Sequence, residues 1–104
     1  MNFIGSNIEA ELFALYELKK SPDLSQRALA KKLGVSLGKS SYILRSLAKK
    51  GLIKIEHFRR SNNKIKYLYF LTPEGLEEKA RLTKEFIKFK IQEYEKLIKD
   101  LEEQ

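Results

Sequence analysis

The 104-residue sequence contains no cysteine, a single histidine and two prolines. Without cysteine there is no disulfide, no thiolate metal site and no cysteine nucleophile. The lack of disulfides suits a reducing compartment. His57 has no second imidazole and no thiolate with which to complete a transition-metal site. Its neighbour Glu56 belongs to the opposite face of a strand, so His57 is read as neither a ligand nor a catalyst. No apolar run approaches the roughly 18 residues that a membrane span requires. The start, MNFIGSNIEAEL, lacks the basic and apolar regions of a secretory signal. Gly34 and Gly38 fit neither a Walker loop nor a dinucleotide fingerprint. There is no internal repeat and no low-complexity linker. These absences predict a soluble, cytoplasmic chain that is not an enzyme, holds no metal or cofactor and enters no membrane.

What is present is a core and an uneven charge. Apolar residues make up 42% of the chain and aromatics 11%, enough to separate it from disordered tails of low hydrophobicity and high charge. The length suits one domain. Net charge is +7, and residues 25–66 hold 12 of the 21 Lys and Arg but only one of the 14 acidic residues. That block carries +11, while residues 1–24 and 67–104 carry −2 each. A basic block between mildly acidic ends is the footprint of a polyanion-binding surface.

Local signals divide the chain into elements. Ser6-Asn7-Ile8-Glu9 has the form of a capping box, and Ile8, Leu12, Leu15 and Tyr16 recur at helical spacing. A first helix is predicted over about residues 7–20, ended by Ser21-Pro22-Asp23. Ser25 caps a second helix, SQRALAKKL, with Leu29, Ala30 and Leu33 on its apolar side and Leu24 placed to staple onto Leu29. Gly34 ends it. Ser36 caps a third helix that runs to about Lys50 and stops at Gly51. Residues 52–58 alternate apolar and polar, as a half-buried strand does. Arg59 to Lys64 reads as a turn in which Asn tolerates positive φ. Ile65 to Leu71 reads as the returning strand. Tyr67, Tyr69 and Phe70 are assigned to cross-strand packing rather than to base stacking. Thr72-Pro73-Glu74-Gly75 opens a last helix, with Thr72 as cap and Pro73 at the first position. No proline or glycine follows Gly75, leaving about 43 Å of potential helix at 1.5 Å per residue.

Helix, helix, tight turn, helix, hairpin, helix is the order of a winged helix-turn-helix, and the fold class is mainly α with a small β-hairpin. In a helix-turn-helix the second helix enters the major groove. Leu44 and Leu47, with Ser40 one turn earlier, should pack inward. The opposite side then presents Gly38, Lys39, Ser41, Tyr42, Arg45, Ser46 and Lys49. Arg45 suits a bidentate contact to guanine, and Ser41 can bond to either kind of base edge. Tyr42 can reach a phosphate or a thymine methyl, Lys39 and Lys49 suit phosphates, and Gly38 lets the backbone come close to a duplex. Arg59, Arg60 and Lys64 at the hairpin tip suit phosphates or a narrow minor groove. Double-stranded DNA is therefore the expected partner. The alternative is a winged helix used as a protein–protein interaction module, which would be expected to show an apolar or acidic face here.

The segment SQRALAKKLGVSLGKSSYILRSLAKKGLIK, the wing with its Asn62-Asn63-Lys64 and the following LTPEG resemble the MarR family of winged-helix regulators, most closely its short branch associated with exopolysaccharide genes. The resemblance covers about residues 8–100. It implies a transcriptional regulator that binds promoter DNA as a homodimer. Larger members carry an extra N-terminal helix and a longer C-terminal helical region. This chain has little before its first helix and a single C-terminal one, which puts the usual ligand pocket in question and leaves a small-molecule effector open.

The last helix carries its own signal. Ile87, Ile91, Tyr94, Ile98 and Leu101 are spaced 4-3-4-3, a heptad seam. Leu82, Phe86 and Phe89 form a second stripe, with Phe86 and Phe89 placed to dock onto the first helix. The expected division is a DNA-binding domain over residues 1–72 and a dimerisation helix over 73–104.

Overall fold

The computed structural model describes residues 7–104. The proposed Ser6 cap lies outside the described residues. Six elements follow in chain order: α1 (Asn7–Lys20), α2 (Gln26–Leu33), α3 (Leu37–Lys49), β1 (Ile53–Arg59), β2 (Ile65–Leu71) and α4 (Pro73–Glu102). The strands form a two-stranded antiparallel hairpin.

The caps are those the sequence signals. The Ser25, Ser36 and Thr72 side chains accept from the backbone N–H of Ala28, Lys39 and Gly75, each at 3.0 Å. Each bond satisfies one donor that the helix itself leaves open. Gly34, at φ 70°, ends α2 in the left-handed region, where a side chain would be strained.

The core lies where α1, α2 and α3 meet the base of the hairpin and the first turns of α4. Leu15, Leu18, Leu29, Leu44 and Leu47 are fully buried there, joined by Ile53, Tyr69 and Leu82. The Thr72 N–H donates to the Leu52 carbonyl (3.0 Å) and the Thr72 hydroxyl to the Gly51 carbonyl (2.7 Å). Gly75 packs so tightly on this crossing that a Cβ would stand 1.9 Å from the Leu52 carbonyl oxygen. Only a residue without a side chain lets α4 start there.

Three expectations are corrected. On α1, Ile8 and Tyr16 are exposed, and Ala10, Leu12, Ala14, Leu15 and Leu18 form the buried face instead. Tyr16 lies outside, with the Lys20 and Lys79 ammonium groups 5.3 and 5.1 Å from its ring centre. β1 is not half-buried: after Ile53 every residue is exposed. Its alternation is real, but the hairpin runs past the helices, so neither face of its outer half meets a core. On α4, Phe86 docks edge-on against Phe13 at 5.5 Å between centroids, whereas Phe89 stays exposed. The two are only about 60° apart around a helix of 3.6 residues per turn, so Phe89 falls at the edge of the contact face rather than on it.

Candidate nucleic-acid interface

The surface of interest starts from a buried serine. Ser40 is fully buried, and its hydroxyl donates to the Gln26 carbonyl at 2.9 Å. This ties the middle of α3 to the first residue of α2. With Ile43, Leu44 and Leu47 also buried, the inward side of α3 is fixed. Ile43 joins that side beyond the expected Ser40, Leu44 and Leu47. What remains outward is set by helix geometry.

Gly38, Tyr42, Arg45 and Lys49 are exposed, and Lys39, Ser41 and Ser46 are partly so. The face expected from polarity is therefore the face the fold presents. The Lys39 ammonium sits 5.2 Å from the centre of the Tyr42 ring, a cation–π distance that holds both side chains over the start of the helix. The space around Gly38 is open, the nearest atom to a built Cβ being Ser36 Oγ at 4.0 Å. Unlike Gly75, Gly38 is not demanded by packing. Leu37, at the first helical position, is also exposed; the polarity reading passed over it because apolar residues are ordinarily assigned inward.

The wing is built by the register Ile53↔Leu71 through Arg59↔Ile65. At its tip the Arg60 N–H donates to the Lys64 carbonyl (2.7 Å) and the Asn63 N–H to the Arg60 carbonyl (2.9 Å). Asn63 takes φ 65°, as expected of Asn at such a turn. Below the tip, a cleft of about 550 Å³ lies between the wing and the start of α2. Ser25 and Gln26 line one side; Arg60, Lys64 and Lys66 line the other. Lys66 is drawn toward Asp23 across this cleft at 4.0 Å. Gln26 thus belongs both to the α2–α3 joint and to the cleft beside the wing. Sequence reasoning missed Ser25, Gln26 and Lys66 here, because nothing local to them signals that the hairpin folds over the α2 start.

Cations on and beside this surface differ in whether a carboxylate pairs with them. Lys32, Lys50 and Lys54 have carboxylate partners in Glu17, Glu11 and Glu56. No described carboxylate lies within ion-pair distance, 4.0 Å, of the cationic groups of Arg45, Lys49, Arg60 or Lys64. On α4, the hydrogen bond from Arg81 draws the Glu78 carboxyl below its ordinary pKa, and the hydrogen bond to Glu93 raises that of the Lys90 ammonium. Among the described residues no group of three or more His, Cys, Asp or Glu could hold a metal ion. No described helix is long and apolar enough to cross a membrane.

The seam of α4 is exposed along its length. Ile87, Ile91, Tyr94, Ile98 and Leu101 are between 51% and 70% accessible, and Leu97, outside the expected seam, is 62% accessible.

Residues 14–54 match the family described as winged helix-turn-helix DNA-binding. A search among curated proteins finds none similar in sequence. Among solved structures, smu.1704 of Streptococcus mutans UA159 is 22% identical with a TM-score of 0.73, covering 88% of each chain. A PadR-like transcriptional regulator of Bacillus cereus is 22% identical with a TM-score of 0.72, covering 84% of this chain and 89% of its own. The MarR of Staphylococcus aureus, solved with salicylate and kanamycin, is 17% identical with a TM-score of 0.61; the match covers 83% of this chain and 56% of that one. These likenesses establish a winged-helix fold with a long C-terminal helix.

Proposed function

We propose that the protein is a transcriptional regulator of the MarR type that binds specific double-stranded DNA as a homodimer. The observation that carries this reading is the face of α3: a helix-turn-helix second helix whose outward side is basic, free of carboxylate partners at Arg45 and Lys49, and open at Gly38. A protein-docking helix gains little from such a face, whereas a polyanion neutralises it. The family match over residues 14–54 and the regulators among the structural neighbours support the same reading, and no feature of the chain argues for an enzyme. In this reading residues 1–72 bind DNA and residues 73–104 dimerise, with the first turns of α4 docking one to the other. The protein works in the cytoplasm, beside the chromosome.

Arg45 and Ser41 then read base edges, Tyr42 packs on a thymine methyl or a phosphate, and Lys39 and Lys49 hold phosphates. Arg60 and Lys64 reach the backbone or the adjacent minor groove. A second copy covers the seam Ile87, Ile91, Tyr94, Ile98 and Leu101. Among the described residues nothing does, and an apolar stripe of that length marks an interface. Exopolysaccharide-related genes are the expected targets, on the strength of the LGVSLGK, Asn62-Asn63-Lys64 and LTPEG segments.

A gel-shift assay with fragments of genomic DNA tests this. A discrete complex that survives excess non-specific competitor is expected. Complexes that vanish equally with any competitor would leave only a basic surface, and the reading would fail.

A further inference from the structure

Two adjacent arginines stand at the wing, and their surroundings differ. The Arg59 Nη1 donates to the Asn63 Oδ1 at 2.7 Å. Arg60 makes no hydrogen bond or ion pair to a described side chain; its backbone is held instead, donating to Lys64 and accepting from Asn63. Asn63 is the one non-glycine residue of positive φ among those described. Glycine is the residue that takes such a backbone without strain, so a glycine here would make the turn more cheaply. What asparagine adds is an acceptor, and that acceptor is occupied by Arg59. Asn62 adds a weaker tie of the same kind, its Oδ1 accepting from the Lys64 N–H at 3.3 Å.

We propose that Arg59 is a positioning residue of the wing and not itself a DNA contact. By bonding Asn63 from the last rung of the hairpin, opposite Ile65, it fixes the turn whose backbone carries Arg60, and so sets where Arg60 meets DNA. The saving is one of ordering. A five-residue turn that is loose in the free protein must be immobilised on binding, and one already locked need not be. Arg59 also draws its own charge back toward the turn, which leaves Arg60 and Lys64 as the tip's cations without a carboxylate partner. The proposal rests on the DNA-binding reading and assigns different parts to two residues that sequence alone treats alike.

The test uses the full chain and a duplex it retains, with affinity measured by fluorescence anisotropy across a salt series for the Arg59→Ala, Asn63→Gly and Arg60→Ala variants and their pairs. Thermal melts check that each variant keeps the wild-type fold. Arg60→Ala should lower the slope of log affinity against log salt by about one, as loss of one phosphate contact does. Arg59→Ala and Asn63→Gly should each weaken binding roughly three- to tenfold and leave that slope unchanged. The two together should cost no more than the worse of them alone, and Arg60→Ala should cost less in the Arg59→Ala background than in wild type. A slope lowered by about one in Arg59→Ala, or additive losses for Arg59→Ala and Asn63→Gly, would make Arg59 a direct phosphate contact and overturn the proposal. A wild type that retains no duplex would overturn the DNA reading and this proposal with it, a result distinct from either of those.

Discussion

Gly38 and Gly75 lie in different helices and lack a side chain for opposite reasons. At Gly75 a Cβ would run into the Leu52 carbonyl oxygen, which belongs to backbone and cannot swing away. Gly75→Ala should therefore prise α4 from the base of the hairpin and cost about 1–3 kcal/mol in a denaturant melt, the usual range for overpacking. At Gly38 there is room. Gly38→Ala should leave the fold as stable, or more stable by up to about 1 kcal/mol, because alanine is the better helix former. Its DNA affinity should nevertheless fall, since in the proposed complex the added methyl stands where the duplex approaches. A Gly38→Ala protein that binds as tightly as wild type would remove the backbone at Gly38 from the interface. Arg45 and Arg60 should also fail differently. Arg45→Ala should relax preference at one position of each half-site, at a cost of about 1–3 kcal/mol for the preferred base. Arg60→Ala should weaken all sequences alike. Equal and sequence-independent losses, measured over a set of single-base operator variants, would show that Arg45 reads no base.

Among the elements, the helices were the most legible in the sequence, because a cap is a local event: Ser25, Ser36 and Thr72 each bond to an amide three residues on. The outward face of α3 was legible too, since Ser40, Leu44 and Leu47 fall on one side of a helix whatever surrounds it. The hairpin was legible as two strands joined by a turn and not in burial. Alternation tells which residues share a face of a strand, but whether a core covers that face depends on how far the hairpin runs past the helices. Ile55, Phe58, Ile65 and Tyr67 are exposed for that reason. Tyr16 was misplaced in the same way: helical spacing put it near Leu12 and Leu15, while the actual boundary of the buried face follows Ala14 and Leu18. On α4 the 4-3-4-3 spacing was visible at once, and Leu97 was passed over because it lies beside that line. The seam makes a direct prediction. Ile91→Glu combined with Ile98→Glu should leave the helical content and melting of the winged domain intact, convert a dimer to a monomer in sedimentation, and remove most operator affinity. A wild-type monomer at micromolar concentration, or a double variant that remains dimeric, would show that α4 does not join two copies.

At the scale of the whole molecule, two features divide the work. One is a basic middle, +11 over residues 25–66 against −2 on either side; the other is a helix of 30 residues whose outer half leaves its apolar seam uncovered by the described residues. The principal extents of 65 × 27 × 20 Å fit a small domain with an arm. In the proposed dimer such an arm sets the two α3 faces at a fixed separation, and two-fold symmetry in the protein is matched by an inverted repeat in its site. Binding that neutralises several phosphates should weaken steeply with salt, log affinity falling by about 0.9 per phosphate for each unit of log salt. The most direct measurement is selection of bound fragments from a genomic library by the full-length protein at physiological salt, followed by sequencing. The retained fragments should share an inverted repeat whose half-sites are centred about 10 base pairs apart, or a multiple of that turn. Fragments no different from the unselected library would contradict the claim that this protein reads DNA sequence.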